Sequence, residues 1–582
     1  MKRLGRYLRR HWLSYGFGIL CTVATTTAQN FIPLLVRNAI NAIQKGHGES
    51  LARCAELVVI LAIITGVTRW FSRFVMFNTA RDVEYELRND LFAHLTRLGS
   101  GFYQRVKTGD LMSRMVNDLT AIRMLIGMGI LTFTNAPLAY IYALGFMITL
   151  SPRLAVAVIV PAALLLVGMR LLTRALMERS LRVQEGLGAM GAKVQESLAG
   201  IHVIKAYTVE DHDATRFREL NEDYNQQGLA LARLRGAMFP MIRSAVASST
   251  MIILIYGGSL VIRHRMSVGD LVAFMSYVAY LAWPTTALGW MLSIYQRGKA
   301  AMKRLNEILE TPPSEPGEGI ARQLEVAGSI EWDNVSFSYF EGNGHGERTA
   351  PHALRNINVR IPAGAKLAIV GRTGSGKSTM IKLLARLIEP TQGRVLLDGK
   401  DLRTVPLAAV RRTIGLVPQE STLFSDSLSR NIGFGRPDAG PSEIQRCADV
   451  AGLTPDIAIL PHGLETLVGE RGMALSGGQK QRVTIARLLA YDPRVVVLDD
   501  ALSSVDTETE RSILKSLEES VHDRTTIVVA HRASTVRDAD EIVVLDEGAI
   551  VERGTHEQLM GRRGLYAELF HRQLLEEELE RY

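Results

Sequence analysis

Up to about residue 300, long apolar segments alternate with charged ones; beyond it, short apolar runs alternate with amphipathic ones. Segments 12–43, 57–77, 126–150, 154–177, 241–262 and 270–295 can each cross a hydrocarbon layer that takes roughly 20 helical residues. Six membrane-spanning helices are predicted. The stretches 80–125 and 178–240 keep helical periodicity but are heavily charged, so they read as spans continuing past the membrane. Each holds a break, Phe102 to Asp110 and Ala206 to Asp211, which is either a short transverse helix or a solvated loop. The sequence TPPSEPGEGI at 311–320 ends the helical pattern, because proline and glycine neither continue a helix nor enter a sheet centre. From Ser329 short β-rich runs alternate with helical ones, the pattern of an α/β domain around a partly parallel sheet. The expected fold is a membrane all-α domain of six helices with long cytoplasmic extensions (1–310), a linker (311–328) and an α/β domain (329–582).

Charge orients this arrangement. The net charge of +8 could suit nucleic acid, but the basic residues crowd the segments between spans, so anionic lipid headgroups are the expected partner. Lys2, Arg3, Arg6, Arg9 and Arg10 precede the first span, and further Lys and Arg fill 80–125 and 178–240. Those sides are expected to be cytoplasmic, with both termini and the α/β domain, in a plasma (inner) membrane. Arg263 and Arg265, after the fifth span, run against the rule. The basic start followed by apolar residues imitates a signal peptide, but the apolar part continues to about Ile43 and reads as an uncleaved span. Cys21, Cys54 and Cys447 have no paired spacing and predict neither a disulfide framework nor a metal site. Within the spans, Arg69 and Arg73 share a face with no acidic partner nearby. They either line a cavity that receives anionic groups or snorkel to the inner interface. Gln29 and Asn30 pose the same alternatives. The stripe Phe274, Tyr277, Tyr280 and Trp283, with Trp290 beyond, fits helix packing better than a binding wall.

The chemistry lies in the second half. Gly371 to Ser378, GRTGSGKS, stands between an apolar run and a helical one and reads as a phosphate-binding loop. Its glycines let backbone N–H groups of Gly371, Arg372, Thr373, Gly374, Ser375 and Gly376 turn toward phosphate oxygens, and the helix beginning at Lys377, Ser378 and Thr379 aims its positive end at them. Lys377 would reach the β- and γ-phosphates of ATP and Ser378 would ligate Mg²⁺. Val495 to Asp499 is an apolar strand ending in a carboxylate, the second half of such a site: Asp499 would hold Mg²⁺, and Asp500 sits where a base could orient the attacking water. Between them, Ser476, Gly477, Gly478 and Gln479 precede a helix and form a second phosphate-binding surface. One compact domain cannot bring two distant loops to one ATP, so a head-to-tail dimer sandwiching two ATPs is the natural solution.

With GRTGSGKS, LSGGQ and VVVLDD in this order, the chain resembles the ATP-binding-cassette exporter family in its half-transporter form, over nearly its whole length. The resemblance implies that Tyr339 stacks on adenine, that Gln419 senses Mg²⁺ and the spans, and that His531 contacts the γ-phosphate. It also implies that Glu470 communicates with the transmembrane helices, that Ser503 to Asp506 form a dimer-contact loop, and that the two breaks are coupling helices. Position 500 departs from the family, which places glutamate there. Aspartate is one methylene shorter, so a slow site is expected at this chain's own loop, beside an intact LSGGQ. That combination resembles one half of a heterodimeric exporter of drugs, lipids or peptides. A homodimer with two slow sites, or an ATP-binding regulator that moves nothing, are the alternatives.

Overall fold

The computed structural model describes residues 2–313, 326–341, 348–469, 475–505, 507–529 and 536–579. Contacts divide the chain into two units: Met1–Thr96 with Thr108–Thr311, and Arg97–Lys107 with Pro312–Tyr582.

The first unit is built from six long helical rods: Trp12–Gln44, Gly48–Leu95, Thr108–Leu150, Pro152–Ala199, Glu210–Ile262 and Val268–Leu309. Among the described residues five are long and apolar enough to cross a membrane; the fourth, Pro152–Ala199, has a shorter apolar stretch at Pro152–Pro161, and several of its side chains between 162 and 174 lie outside the described residues. The six predicted spans therefore fall on six rods, of which five meet the criterion. At about 1.5 Å per residue, a rod of 48 residues is far longer than a hydrocarbon layer about 30 Å thick, so the helices run on beyond it. Single π-turns at Arg114–Asp118, Leu125–Gly129 and Ile253–Gly257 interrupt the third and fifth rods.

Polar side chains knit the rods where hydrocarbon offers no alternative partner. Thr22 Oγ1 meets Ser72 Oγ at 2.6 Å, Thr25 meets Thr68 at 2.8 Å, and Thr26 donates to Asn135 Oδ1 at 2.7 Å. Asn30 is fully buried, and its carbonyl oxygen accepts from Tyr277 Oη at 2.8 Å, so it packs helices. Toward the rod ends, Asp118 is buried against Arg304, which donates to Oδ2 at 2.8 Å, and buried Glu84 accepts from Arg88 and Arg123 at 2.6 and 3.0 Å. These pairs tie the second, third and sixth rods together. At the first break the chain forms a short helix, Ser100–Arg105, counted with the second unit; at the second, a short helix, Ile201–Tyr207, ends in a left-handed turn at Thr208 before the fifth rod begins at Glu210.

The described residues of the second unit form two sheets. Its strands are β1 (Ile330–Glu341), β2 (Arg348–Ile361), β3 (Lys366–Gly371), β4 (Gln392–Leu397), β5 (Lys400–Asp401), β6 (Ile414–Val417), β7 (Val495–Asp499), β8 (Thr525–Val529), β9 (Glu541–Asp546) and β10 (Ala549–Gly554). An antiparallel sheet has the order β2-β1-β4-β5; the other, β10-β9-β3-β8-β7-β6, is parallel except for the β10–β9 pair. Alternate residues of its central strands serve two cores: Val495 and Val497 face one with Ile369, Ile527 and Val543, while Val496 and Leu498 face the other with Ala368, Val528 and Ile542. Burial on both faces is why these strands read as unbroken apolar runs rather than alternating ones. β8 lies between β3 and β7, with Ile369 and Asp499 both in register with Val529. The carboxyl ends of the three strands thus meet at one edge, where ligands of open parallel sheets bind.

Candidate functional site

At that edge β3 ends in Gly371, and the chain passes through exposed Arg372, Thr373 and Gly374 to buried Ser375 and to Gly376, which caps the helix Lys377–Leu384. Gly374 and Gly376 have φ of 83° and 104°, a region glycine reaches without penalty. A Cβ on Gly376 would also lie 2.6 Å from the Ala353 carbonyl oxygen. The buried Ser375 hydroxyl has no hydrogen-bond partner among the described residues. A glycine-rich turn, an unspent hydroxyl and a helix N-terminus suit a polyphosphate.

Lys377 is buried, and its ammonium donates to the carbonyl oxygens of Gly371 and Arg372 at 2.8 and 2.9 Å. Burial draws its pKa down, against the charges of Asp499 and Asp500. Ser378 Oγ donates to Asp499 Oδ1 at 3.4 Å, so a hydroxyl and a carboxylate stand together as hard oxygen donors of the kind Mg²⁺ takes. Burial pushes the Asp499 carboxyl up, and the Ser378 hydrogen bond works the other way.

Asp500, immediately after β7, occupies the left-handed region with φ 51°, and its N–H donates to Val529 O at 2.9 Å. Its Oδ2 accepts from exposed Gln419 Nε2 at 3.5 Å, the outer limit of such a bond. Tyr339, from the antiparallel sheet, reaches Thr379 with its hydroxyl at 3.1 Å and sets its ring edge-on to Phe337. Tyr339, Gly371 to Thr379, Gln419, Asp499 and Asp500 therefore converge. His531, Glu470 and Asp506 lie outside the described residues.

Ser476 to Gln479 occupy a different place. Ser476 caps the helix Gly477–Tyr491: its hydroxyl accepts from the Gln479 N–H at 3.3 Å, and the Gln479 side-chain oxygen accepts from the Ser476 N–H at 2.8 Å. Sequence S-G-G-Q is thus a reciprocal capping box. A Cβ on Gly478 would lie 2.8 Å from the Ser504 carbonyl oxygen, which explains glycine there. Among the described residues, no hydrogen bond joins Ser476–Gln479 to the phosphate loop.

Two organising residues escaped the sequence reading. Gln481, 4% exposed, donates to Ser503 Oγ and accepts from the Ser504 N–H, both at 2.9 Å, fastening the loop after Asp500 to the LSGGQ helix. A polar residue on the inner side of that helix was its only signal. Asp456 holds Gln479 Nε2 at 2.8 Å and Arg482 Nη1 at 2.8 Å; tertiary folding brings it there, and no local pattern announces it.

The first unit has a cavity of about 750 Å³ between its first, second, third and sixth rods. Arg69, Arg73 and Gln29 line it, as do Tyr280, Trp283 and Trp290. The aromatic stripe is therefore divided: Phe274 and Tyr277 are fully buried among helices, and its later members form a cavity wall.

Family comparisons agree with both units. The family model described as ABC transporter transmembrane region matches residues 15–285, and the one described as ABC transporter matches residues 354–503. A probable multidrug resistance ABC transporter ATP-binding/permease protein of Bacillus subtilis, YheI, is 36% identical over 99% of this chain and 98% of that protein. The chain belongs to the ABC transporter family. This ABC transporter is also 32% identical to the ATP-dependent lipid A-core flippase of Methylococcus capsulatus, over 98% of the chain and 94% of the flippase. A solved structure of a bacterial Atm1-family ABC exporter with ATP bound superposes with a TM-score of 0.78 at 29% identity, covering 97% of this chain and 98% of that one. The protein is accordingly a multi-pass membrane half-transporter, an ATP-driven exporter that acts as a dimer and couples ATP hydrolysis to transport.

Proposed function

We propose that this chain is the catalytically weaker half of a heterodimeric exporter in the plasma membrane, with its ATP-binding domain and both termini cytoplasmic. Its phosphate loop grips Mg-ATP: Gly371 to Gly376 wrap the phosphates, Lys377 turns from its carbonyl partners to the β- and γ-phosphates, Ser378, Asp499 and Gln419 hold Mg²⁺, and Tyr339 stacks on the adenine. His531 takes the γ-phosphate. Hydrolysis there is slow, because Asp500 must orient the water. Ser476 to Gln479 serve the nucleotide of the companion chain, which supplies the glutamate.

The observation that carries this reading is the geometry of Asp500. Its backbone is pinned by the hydrogen bond to Val529 O, so the chain cannot advance to make up for a side chain one C–C bond, about 1.5 Å, shorter than glutamate. Phosphoryl transfer depends on placing the nucleophile within tenths of an ångström, and an error near 1 Å costs roughly a hundredfold.

Measuring ATPase activity of the purified chain and of its Asp500→Glu variant tests this. Slow turnover that rises roughly tenfold to a hundredfold in the variant is expected. Brisk turnover by the unmodified chain, unchanged by the substitution, would overturn the proposal.

A further inference from the structure

The cavity of the first unit holds two guanidinium groups and no carboxylate among its described lining residues, so its formal charge is +2. Arg69 Nη2 donates to Gln29 Oε1 of the first rod at 2.6 Å. A snorkelling arginine would leave the bundle for the interface; this one is held against a neighbouring helix on the cavity wall. Among the described residues neither Arg69 nor Arg73 forms an ion pair.

The other polar groups nearby are largely spent. Thr22 and Thr25 donate their hydroxyls to Gly18 O and Cys21 O at 2.9 and 2.7 Å, and Thr26 donates to Asn135. The guanidinium pair carries the only formal charge among the cavity's described lining residues. Two cations without a carboxylate partner favour an anion in the space between them, and the planar fork of arginine matches carboxylate, sulfonate and phosphate oxygens.

Tyr280, Trp283 and Trp290, from the last rod, supply broad flat faces. Such faces also attract cations, but the two arginines repel a cation from the same space, leaving flat apolar groups as their partners. At about 750 Å³ the cavity is within the usual range for a small molecule.

We infer that this cavity selects amphipathic anions, molecules with a flat apolar body and one acidic group. The inference rests on the exporter reading and narrows it to a substrate class.

Three naphthalene probes with the same ring, bearing a sulfonate, no charge or a trimethylammonium group, would be titrated onto the full chain in phosphatidylcholine nanodiscs, subtracting empty discs. Quenching of tryptophan emission reports binding and needs no ATP turnover. The sulfonate should bind at least tenfold tighter than the other two. Arg69→Gln and Arg73→Gln should each erase roughly tenfold of that preference, as for the loss of one charge-assisted hydrogen bond, with the neutral probe unaffected. Lysine at either position should restore part of it. Unchanged binding of the neutral probe shows that the glutamine variants are folded.

Repeating the titration with phosphatidylglycerol in the discs distinguishes the anion's source: competition assigns the site to an anionic lipid, and none assigns it to a soluble amphipath. Equal affinity for the three probes, or variants that leave the preference intact, would overturn the inference. ATP-dependent transport of a neutral or cationic compound alongside that result would leave the exporter reading standing and remove only the substrate class.

Discussion

Asp398 sits at a left-handed turn after β4, with φ 48°, and its carboxylate accepts the N–H groups of Ala327, Gly328 and Ser329 at 2.7, 3.0 and 2.7 Å. Burial raises its pKa, but the backbone hydrogen bonds outweigh burial and leave the carboxyl below the ordinary aspartate value. A depressed folded pKa means that the stabilisation is complete above the unfolded value of about 3.9 and is lost as the pH falls through the folded value. Hydrogen exchange on the full chain, corrected for intrinsic rates, should therefore show protection at Ala327 to Ser329 that persists to below about pH 4 and then collapses. Asp398→Asn should lower that protection at neutral pH by an amount corresponding to about 1 kcal/mol and abolish the acid step. A step that survives in the variant would mean that another group controls this strand. Asp500 belongs to the same scale, since in the proposed function one methylene group at a pinned backbone position separates a gripping site from a splitting one.

Between elements, the LSGGQ helix and the loop Ser503–Val505 behave as one piece because Gln481 spends both ends of its amide on that loop. Gln481→Ala leaves the Ser504 N–H without its acceptor, and its exchange protection should fall about tenfold. Gln481→Glu keeps the acceptor but loses the donor, so it should restore protection at Ser504 without restoring the link to Ser503. Equal behaviour of the two variants would show that packing, not the amide, holds the loop. Elements of this kind mark what the sequence could and could not tell. Strands buried on both faces announce themselves as apolar runs, and a phosphate loop must use glycine where a Cβ would collide, so Val495 to Asp499 and Gly371 to Ser378 were readable directly. The aromatic stripe was not. Spacing of three to four residues places side chains on one side of a helix, but that side can cross from packed interior to cavity, as it does between Tyr277 and Tyr280. Arg69 and Arg73 were ambiguous for a related reason: the cavity they line is closed by other rods, one of which supplies Gln29 to Arg69.

For the whole molecule, the proposed asymmetry has a consequence that no single residue shows. If Ser476 to Gln479 serve the companion's nucleotide and Lys377 serves only the slow site, damage to the two loops of this same chain must be unequal. Gly478→Ala would drive a methyl group against the Ser504 carbonyl, displacing the capping box from which the partner's phosphate would be held. Lys377→Ala removes the phosphate-reaching ammonium from the slow site and leaves LSGGQ intact. In the complex isolated by a tag on this chain, Gly478→Ala should reduce ATPase activity roughly a hundredfold, the scale of losing a preorganised electrostatic contact to the transferring phosphate. Lys377→Ala should cost no more than a few fold. In a homodimer every site contains both loops, so the two substitutions would be equally severe. Parallel loss in both variants therefore decides against the heterodimer, while unequal loss with only one kind of chain in the complex would require the asymmetry to come from conformation alone.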